Sequence, residues 1–221
     1  MVYRIFVEKK PGMNPEAESL LSDLRTFLSI GQLTGLRILN RYDVDHIDAD
    51  VYERAKGVVF SEPQVDVTYD EDFPVPLSAG ALLAVEALPG QFDQRSDSAA
   101  QCIQLMAGVA RPLVACAKVY LLEGVISEEE LEKIKAYLIN PVESREASME
   151  KPETLVQEYP LPDQVAVVEG FTTMDESALS ALLERLGLAM DMDDLKFLQT
   201  YFRDEERRDP TITEVRLVDT Y

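Results

Sequence analysis

VEALPGQFDQRSDSAAQC, residues 85–102, is the stretch from which the rest of the chain can be read. It follows on from a short apolar run, residues 81–87, that has the length and composition of a buried strand. Pro89-Gly90 then turns the chain. The polar residues Gln91, Asp93, Gln94, Arg95 and Asp97 lead into a helix predicted to start at about Asp97-Ser98. Hydrogen-bonding groups crowded between a strand and a helix mark a place where scaffolds carry function. The frame also has an earlier copy. Val7-Glu8-Lys9-Lys10-Pro11-Gly12 matches Val85-Glu86-Ala87-Leu88-Pro89-Gly90 at a distance of 78 positions (85 − 7).

Working outward, residues 2–8 alternate as a strand, and Pro11, Gly12 and Pro15 punctuate the chain after it. Leu20, Leu21, Leu24, Phe27 and Leu28 fall on one face of a helix over residues 16–29. Residues 36–42 return as a strand. Asp48 or Asp50 caps a second helix carrying Val51, Ala55, Val58 and Val59, with Tyr52 and Phe60 at its flanks. A strand at residues 65–69 closes the set, and residues 70–80 have the composition of a linker. The same order then recurs. The strand at 81–87 precedes a helix with Ala99, Cys102, Ile103 and Met106 on one face. A strand at 113–122 and a helix from Ser127 with Leu131, Ile134, Leu138 and Ile139 follow.

Matched residues accompany the matched order. Tyr42 corresponds to Tyr120, Glu53-Arg54-Ala55-Lys56 to Glu132-Lys133-Ile134-Lys135, and Pro63 to Pro141. Residues 1–147 are therefore predicted to be a duplicated small α/β unit, with repeats at about 1–70 and 81–147. One such unit buries little core by itself; two form a single α+β domain with an internal pseudo-two-fold, as a symmetric dimer does. Residues 148–170 read as a Pro-punctuated connector. Residues 171–221 read as a mostly helical domain, with helices capped by Asp175 or Ser177 and by Asp191 or Asp193. Arg207-Arg208-Asp209 reads as a solvated helix end. Residues 213–221 alternate as a last strand, and a half-buried strand with nothing after it predicts a piece of a longer protein.

Composition removes whole classes of function. Forty-one acidic residues stand against 21 Lys and Arg, a net charge of −20, so the chain lacks the basic surface that nucleic acids and anionic membranes require. No apolar run reaches the length of a membrane span. The N-terminus has no signal-peptide pattern, and two cysteines in apolar surroundings predict reduced thiols in the cytoplasm.

Few motifs carry chemistry. Residues 43–50 (DVDHIDAD) resemble the start of a calcium loop, but Asp48 stands where that loop needs Gly and Arg54 where it needs Glu; helix capping accounts better for the acids. His46 is the single histidine, and no nucleotide-phosphate loop is present. Cys102 and Cys116 read as core residues. Residues 91–97 stay open between a capped turn, with Asp93 or Asp97 bonding helix amides, and a docking surface.

Residues 85–105 (VEALPGQFDQRSDSAAQCIQL), 137–148 (YLINPVESREAS) and 186–215 (LGLAMDMDDLKFLQTYFRDEERRDPTITEV) resemble the N-terminal region of phosphoribosylformylglycinamidine synthase in its long, single-chain form. The first repeat also resembles the small, separate PurS-type subunit of the split enzyme. The resemblance implies a duplicated PurS-like domain followed by a helical linker domain. It implies synthetase and glutaminase domains as partners within a longer chain. The whole enzyme joins formylglycinamide ribonucleotide, ATP and glutamine to give formylglycinamidine ribonucleotide, ADP, phosphate and glutamate. ATP and magnesium are thus implied for the parent, with no cofactor or catalytic residue for these 221 residues, which are expected to be inactive alone. Gln91, Asp93, Gln94, Arg95 and Asp97 become the expected coupling surface, on a stretch that reads as an insert peculiar to the second repeat. Paired α/β units with strand-to-helix loops also suit a small-ligand effector site at their mutual interface.

Overall fold

Alternation in the first residues becomes β1 (Tyr3–Lys9), which lies between β2 (Leu33–Asp45) and β3 (Asp66–Asp70). The computed structural model describes residues 1–156 and 164–220. It divides into two compact units, Met1–Gln157 and Glu158–Tyr221. In the first, β4 (Ala79–Ala87), β5 (Leu113–Gly124) and β6 (Ser144–Glu146) complete an antiparallel sheet of six strands, ordered β3-β1-β2-β5-β4-β6. The protein is a mixed α+β fold.

The pairing registers recur along the chain. Ile5↔Tyr42 is matched by Leu83↔Tyr120, and Val7↔Thr68 by Val85↔Glu146, each 78 residues later (83 − 5). Where the two halves meet, β2 and β5 pair through Asn40↔Lys118. One-residue slips would turn the apolar face outward, so apolar alternation pins these registers. At the far end of the β2–β5 ladder, Gly124 has φ +121°, and an added Cβ would run into the Gln32 carbonyl oxygen.

Helices α1 (Pro15–Thr26), α2 (Ala49–Ala55), α3 (Gln94–Ala107) and α4 (Glu128–Leu138) cover one face. The helix after β1 packs over β2 and reaches into a cluster shared with the second half, and the helix after β4 packs over β5 and reaches into one shared with the first. Leu24 of α1 joins Leu83, Tyr120, Leu122 and Ile134 in one apolar cluster. Ala99 and Ile103 of α3 join Ile5, Tyr42, Val44, Tyr52, Ala55 and Phe60 in another. Each fully buried aliphatic side chain stabilises the fold by about 1.5–3 kcal/mol. The opposite face holds Phe6, Leu39, Ala84 and Val119, packed by Phe73 and Met149.

Several sequence expectations change. α1 stops at Thr26, so Phe27 is a C-cap and 75% exposed. A π-turn (Lys56–Phe60) follows α2 and widens the spacing to five residues, which buries Ala55 and Phe60 together and turns Val58 outward. Tyr52 and Phe60 are core residues, not flanks. α3 begins at Gln94, three residues earlier than expected, because Asp93 caps it. The stretch 91–97 is not an insert either. α1 starts at Pro15 after Asn14 and α3 at Gln94 after Asp93, an offset of 79 (94 − 15) against 78 for the strands. Cys102 is exposed rather than buried. Cys116 is mostly buried, and burial pushes its thiol up to about 12.

The second unit contains α5 (Glu176–Leu186), α6 (Met192–Tyr201) and α7 (Ile212–Thr220). Asp175 and Asp191 cap the first two, and Gly187 ends α5 in the left-handed region. Phe171, Leu179, Leu182, Leu195, Leu198, Phe202 and Val215 form the core. The strand expected at 213–221 is a helix. Thr211 Oγ1 accepts from the Glu214 N–H, and Glu214 accepts from the Thr211 N–H, a reciprocal cap that starts α7. Asp209 is a clasp rather than a solvated end. Its carboxylate accepts from the N–H groups of Gly170 and Thr172, which hold it below the usual carboxylate range.

Candidate functional site

The five expected coupling residues separate into two roles. Asp93 is structural: Oδ1 accepts from the Arg95 and Ser96 N–H groups at 2.9 and 3.2 Å. Asp97, on the first turn of α3, pairs with Arg111 and accepts from Gln101, tying the loop after α3 back to its start. Gln91 reaches the Val142 carbonyl at the long distance of 3.4 Å. Gln91 and Gln94 are exposed, as is Phe92 between them at 75%. Arg95 is exposed as well, and donates to the Tyr42 hydroxyl at 3.1 Å.

Arg95 leads to a feature the sequence did not single out. The two apolar clusters do not merge, because a polar seam divides them. Asn40 and Lys118 face each other across the central strands on the helix-covered side. Glu16 of α1 accepts from Lys118 Nζ at 2.6 Å. Tyr42 and Tyr120 flank the pair. Burial raises both phenols above their ordinary value, Tyr120 to about 12 with Glu16 adding to it, and Tyr42 against the pull of Arg95. Glu16 and Arg95 are each the second residue of their helix. Adjoining crevices of about 600 and 570 Å³ open here, and Asn40 and Arg95 line both.

The other face carries a buried ionic cluster. Arg4 grips Asp43 through two bonds of 2.5 and 2.8 Å, and Arg41 Nε lies 3.3 Å from the same carboxylate. Further guanidinium donors reach main-chain carbonyls, Arg4 those of Met149 and Glu150 and Arg41 that of Ser148, while Arg41 Nε is buried without a hydrogen-bond partner. Asp45 continues this clasp, accepting from the Leu155 N–H and the Thr154 hydroxyl at 3.0 and 2.8 Å. The Leu155 amide is the main cause of the strongly lowered pKa of Asp45. Residues 148–155, the start of the expected connector, are thereby fastened to the sheet.

This accounts for the calcium-like string. Asp43 and Asp45 are spent on the clasp, Asp48 precedes α2, and His46 is exposed with φ 58°. Among the described residues no three His, Cys, Asp or Glu side chains converge as a metal would need. No helix is long and apolar enough to cross a membrane.

No family model matches the chain, and no curated protein matches it.

Proposed function

We propose that the chain is the N-terminal assembly and ammonia-coupling module of a cytoplasmic phosphoribosylformylglycinamidine synthase, built from two PurS-like halves and a helical linker domain, and not catalytic alone. One observation carries most of the weight. Nine of the eleven residue pairs that join β1 to β2 and β3 recur 78 residues later, and each half contributes a helix to a cluster shared with the other. That arrangement is what two fused copies of a dimer-forming unit would give. The all-round acidity argues for protein neighbours rather than nucleic acid or membrane.

On this view the chemistry belongs to the synthetase and glutaminase domains. The resemblance puts ATP and magnesium there too. The module's contribution is packing. Ammonia released from glutamine must reach its acceptor without escaping to bulk water, so the surfaces enclosing its route matter as much as reactive groups. Gln91, Gln94 and Arg95 are the exposed members of the expected coupling surface, with exposed Phe92 among them, and are free to touch such a neighbour; Asp93 and Asp97 fix its geometry.

The isolated chain should show no turnover with glutamine, ATP and the ribonucleotide. In the intact enzyme, Arg95→Ala and Asp97→Ala should raise glutamine hydrolysis relative to product formation, by about tenfold if a packing contact worth about 1.4 kcal/mol is lost. Glutaminase and synthetase rates that stay in step in both variants would remove this surface from the coupling route.

A further inference from the structure

We propose that the groove between α6 and α7 receives a basic amphipathic helix of a partner protein, its apolar face seated on Phe197 and Leu217 and its Lys or Arg residues on the acids at the rim. The groove, of about 700 Å³, is lined by residues between Ala189 and Asp219 and so belongs to the second unit alone; it includes no residue of the expected coupling surface.

Its floor and its rim differ in character. Asp194, Phe197 and Tyr201 follow one another at helical spacing along α6, and Leu217 and Val218 line the groove from α7. Phe197 is 76% exposed and Leu217 56%, with Tyr201 and Val218 exposed beside them. Singly exposed apolar side chains are ordinary, but four gathered in one groove mark an interaction surface. The groove is also preformed. The Tyr201 hydroxyl donates to Glu206 at 3.1 Å, and its ring stands edge-on to buried Phe202. At one end Asp219 of α7 accepts from the Met190 N–H at 2.8 Å. At the other, Arg208 bridges Glu206, just after α6, to Glu214 on the first turn of α7.

Charge decides which partner fits. Four acids and one base line the groove. The base, Arg208, is held by Glu206 and Glu214 and lies over the Phe202 ring at 5.3 Å, so its charge is already matched. Asp194 is exposed, and the base nearest to it in sequence, Lys196, pairs with Glu176 instead. A second copy of the chain would set these acids against its own, and nucleic acids and anionic membranes are repelled for the same reason. Both walls are helices, whose backbone donors are already used, so a strand finds no edge to pair with. A helix laid in the groove instead presents residues at i, i+3 or i+4, and i+7 to the apolar floor.

Binding is measured by fluorescence anisotropy with the 221-residue chain and three labelled peptides of about 18 residues, or about five helical turns. They are an amphipathic leucine–lysine helix, a scramble of the same composition, and the leucine–glutamate counterpart. The amphipathic basic peptide should bind at least about tenfold more tightly than either of the others, and added salt should weaken it. Phe197→Ser and Leu217→Ser change exposed side chains and should each weaken binding by about tenfold. Asp194→Asn should weaken it several-fold and flatten the salt dependence. Leu105→Ser, at an 83% exposed side chain of α3 outside the groove, should bind as the parent does. The proposal fails if the scramble or the acidic peptide binds equally well, if folded Phe197→Ser and Leu217→Ser keep the parent's affinity, or if Leu105→Ser loses as much as they do. A dimer in sedimentation that Phe197→Ser dissociates would also overturn it, by making a second copy the occupant.

Discussion

Asp45 shows how much one side chain can organise. Its carboxylate is buried, faces the amino terminus, and accepts from Thr154 and Leu155. Those donors favour the charged form, so its pKa in the fold lies below the unfolded value of about 4. A depressed carboxylate contributes stability that is fully present above the unfolded value and is lost as the pH falls through the folded one. Asp45→Asn should therefore destabilise the first unit by about 1–3 kcal/mol at pH 7. The gap from the parent should narrow below about pH 4. Urea unfolding between pH 7 and pH 3 checks this, and a gap that does not change with pH would show that the charge of Asp45 is irrelevant to the clasp. The neighbouring Arg4–Asp43–Arg41 cluster resists shortcuts of another kind. Removing one member leaves buried charge without its partner, the more damaging way to disturb an ion pair.

Helix caps make element-scale stability testable one residue at a time. Ser127 and Glu130 cap α4 reciprocally, as Thr211 and Glu214 cap α7. Ser127→Ala and Thr211→Ala should each cost about 1 kcal/mol, read from denaturation midpoints; a loss below about 0.3 kcal/mol would mean that packing alone sets those helix starts. These caps also show why sequence reading succeeded in one place and failed in another. Ser127 precedes a helix whose apolar spacing is clear, so cap and period agree. Thr211-Ile212-Thr213-Glu214 carries the same S/T-x-x-E pattern, but the residues after it alternate as well as they follow a helical period, so period does not separate strand from helix there. The π-turn after α2 left no trace in composition, since it changes spacing and not residue type. Phe92 and Gln91 were legible as loop residues, whereas Asp93 had to be seen bonding to be placed at the cap. Arg4 with Asp43, 39 positions apart, and Asn40 with Lys118 meet only through strand pairing, and local patterns cannot report that.

At the scale of the whole molecule, each unit has a core of its own. Phe171 is wholly buried in that of the second. Phe171→Ala should remove about 3–5 kcal/mol from the second unit and leave hydrogen-exchange protection in β2 and β5 unchanged. Loss of protection in those strands would reveal that the units fold as one. Within the first unit, recurrence of the strand registers has a consequence for its central crevices. A pair of identical chains related by a two-fold must present the same residue twice. One continuous chain is free of that rule, and here the second position of α1 is Glu16 while the second position of α3 is Arg95. The crevice consequently has an acidic wall and a basic wall on a near-symmetric frame. Whatever lies between them is given a head and a tail, an orientation that no symmetric ancestor of such a fold could impose.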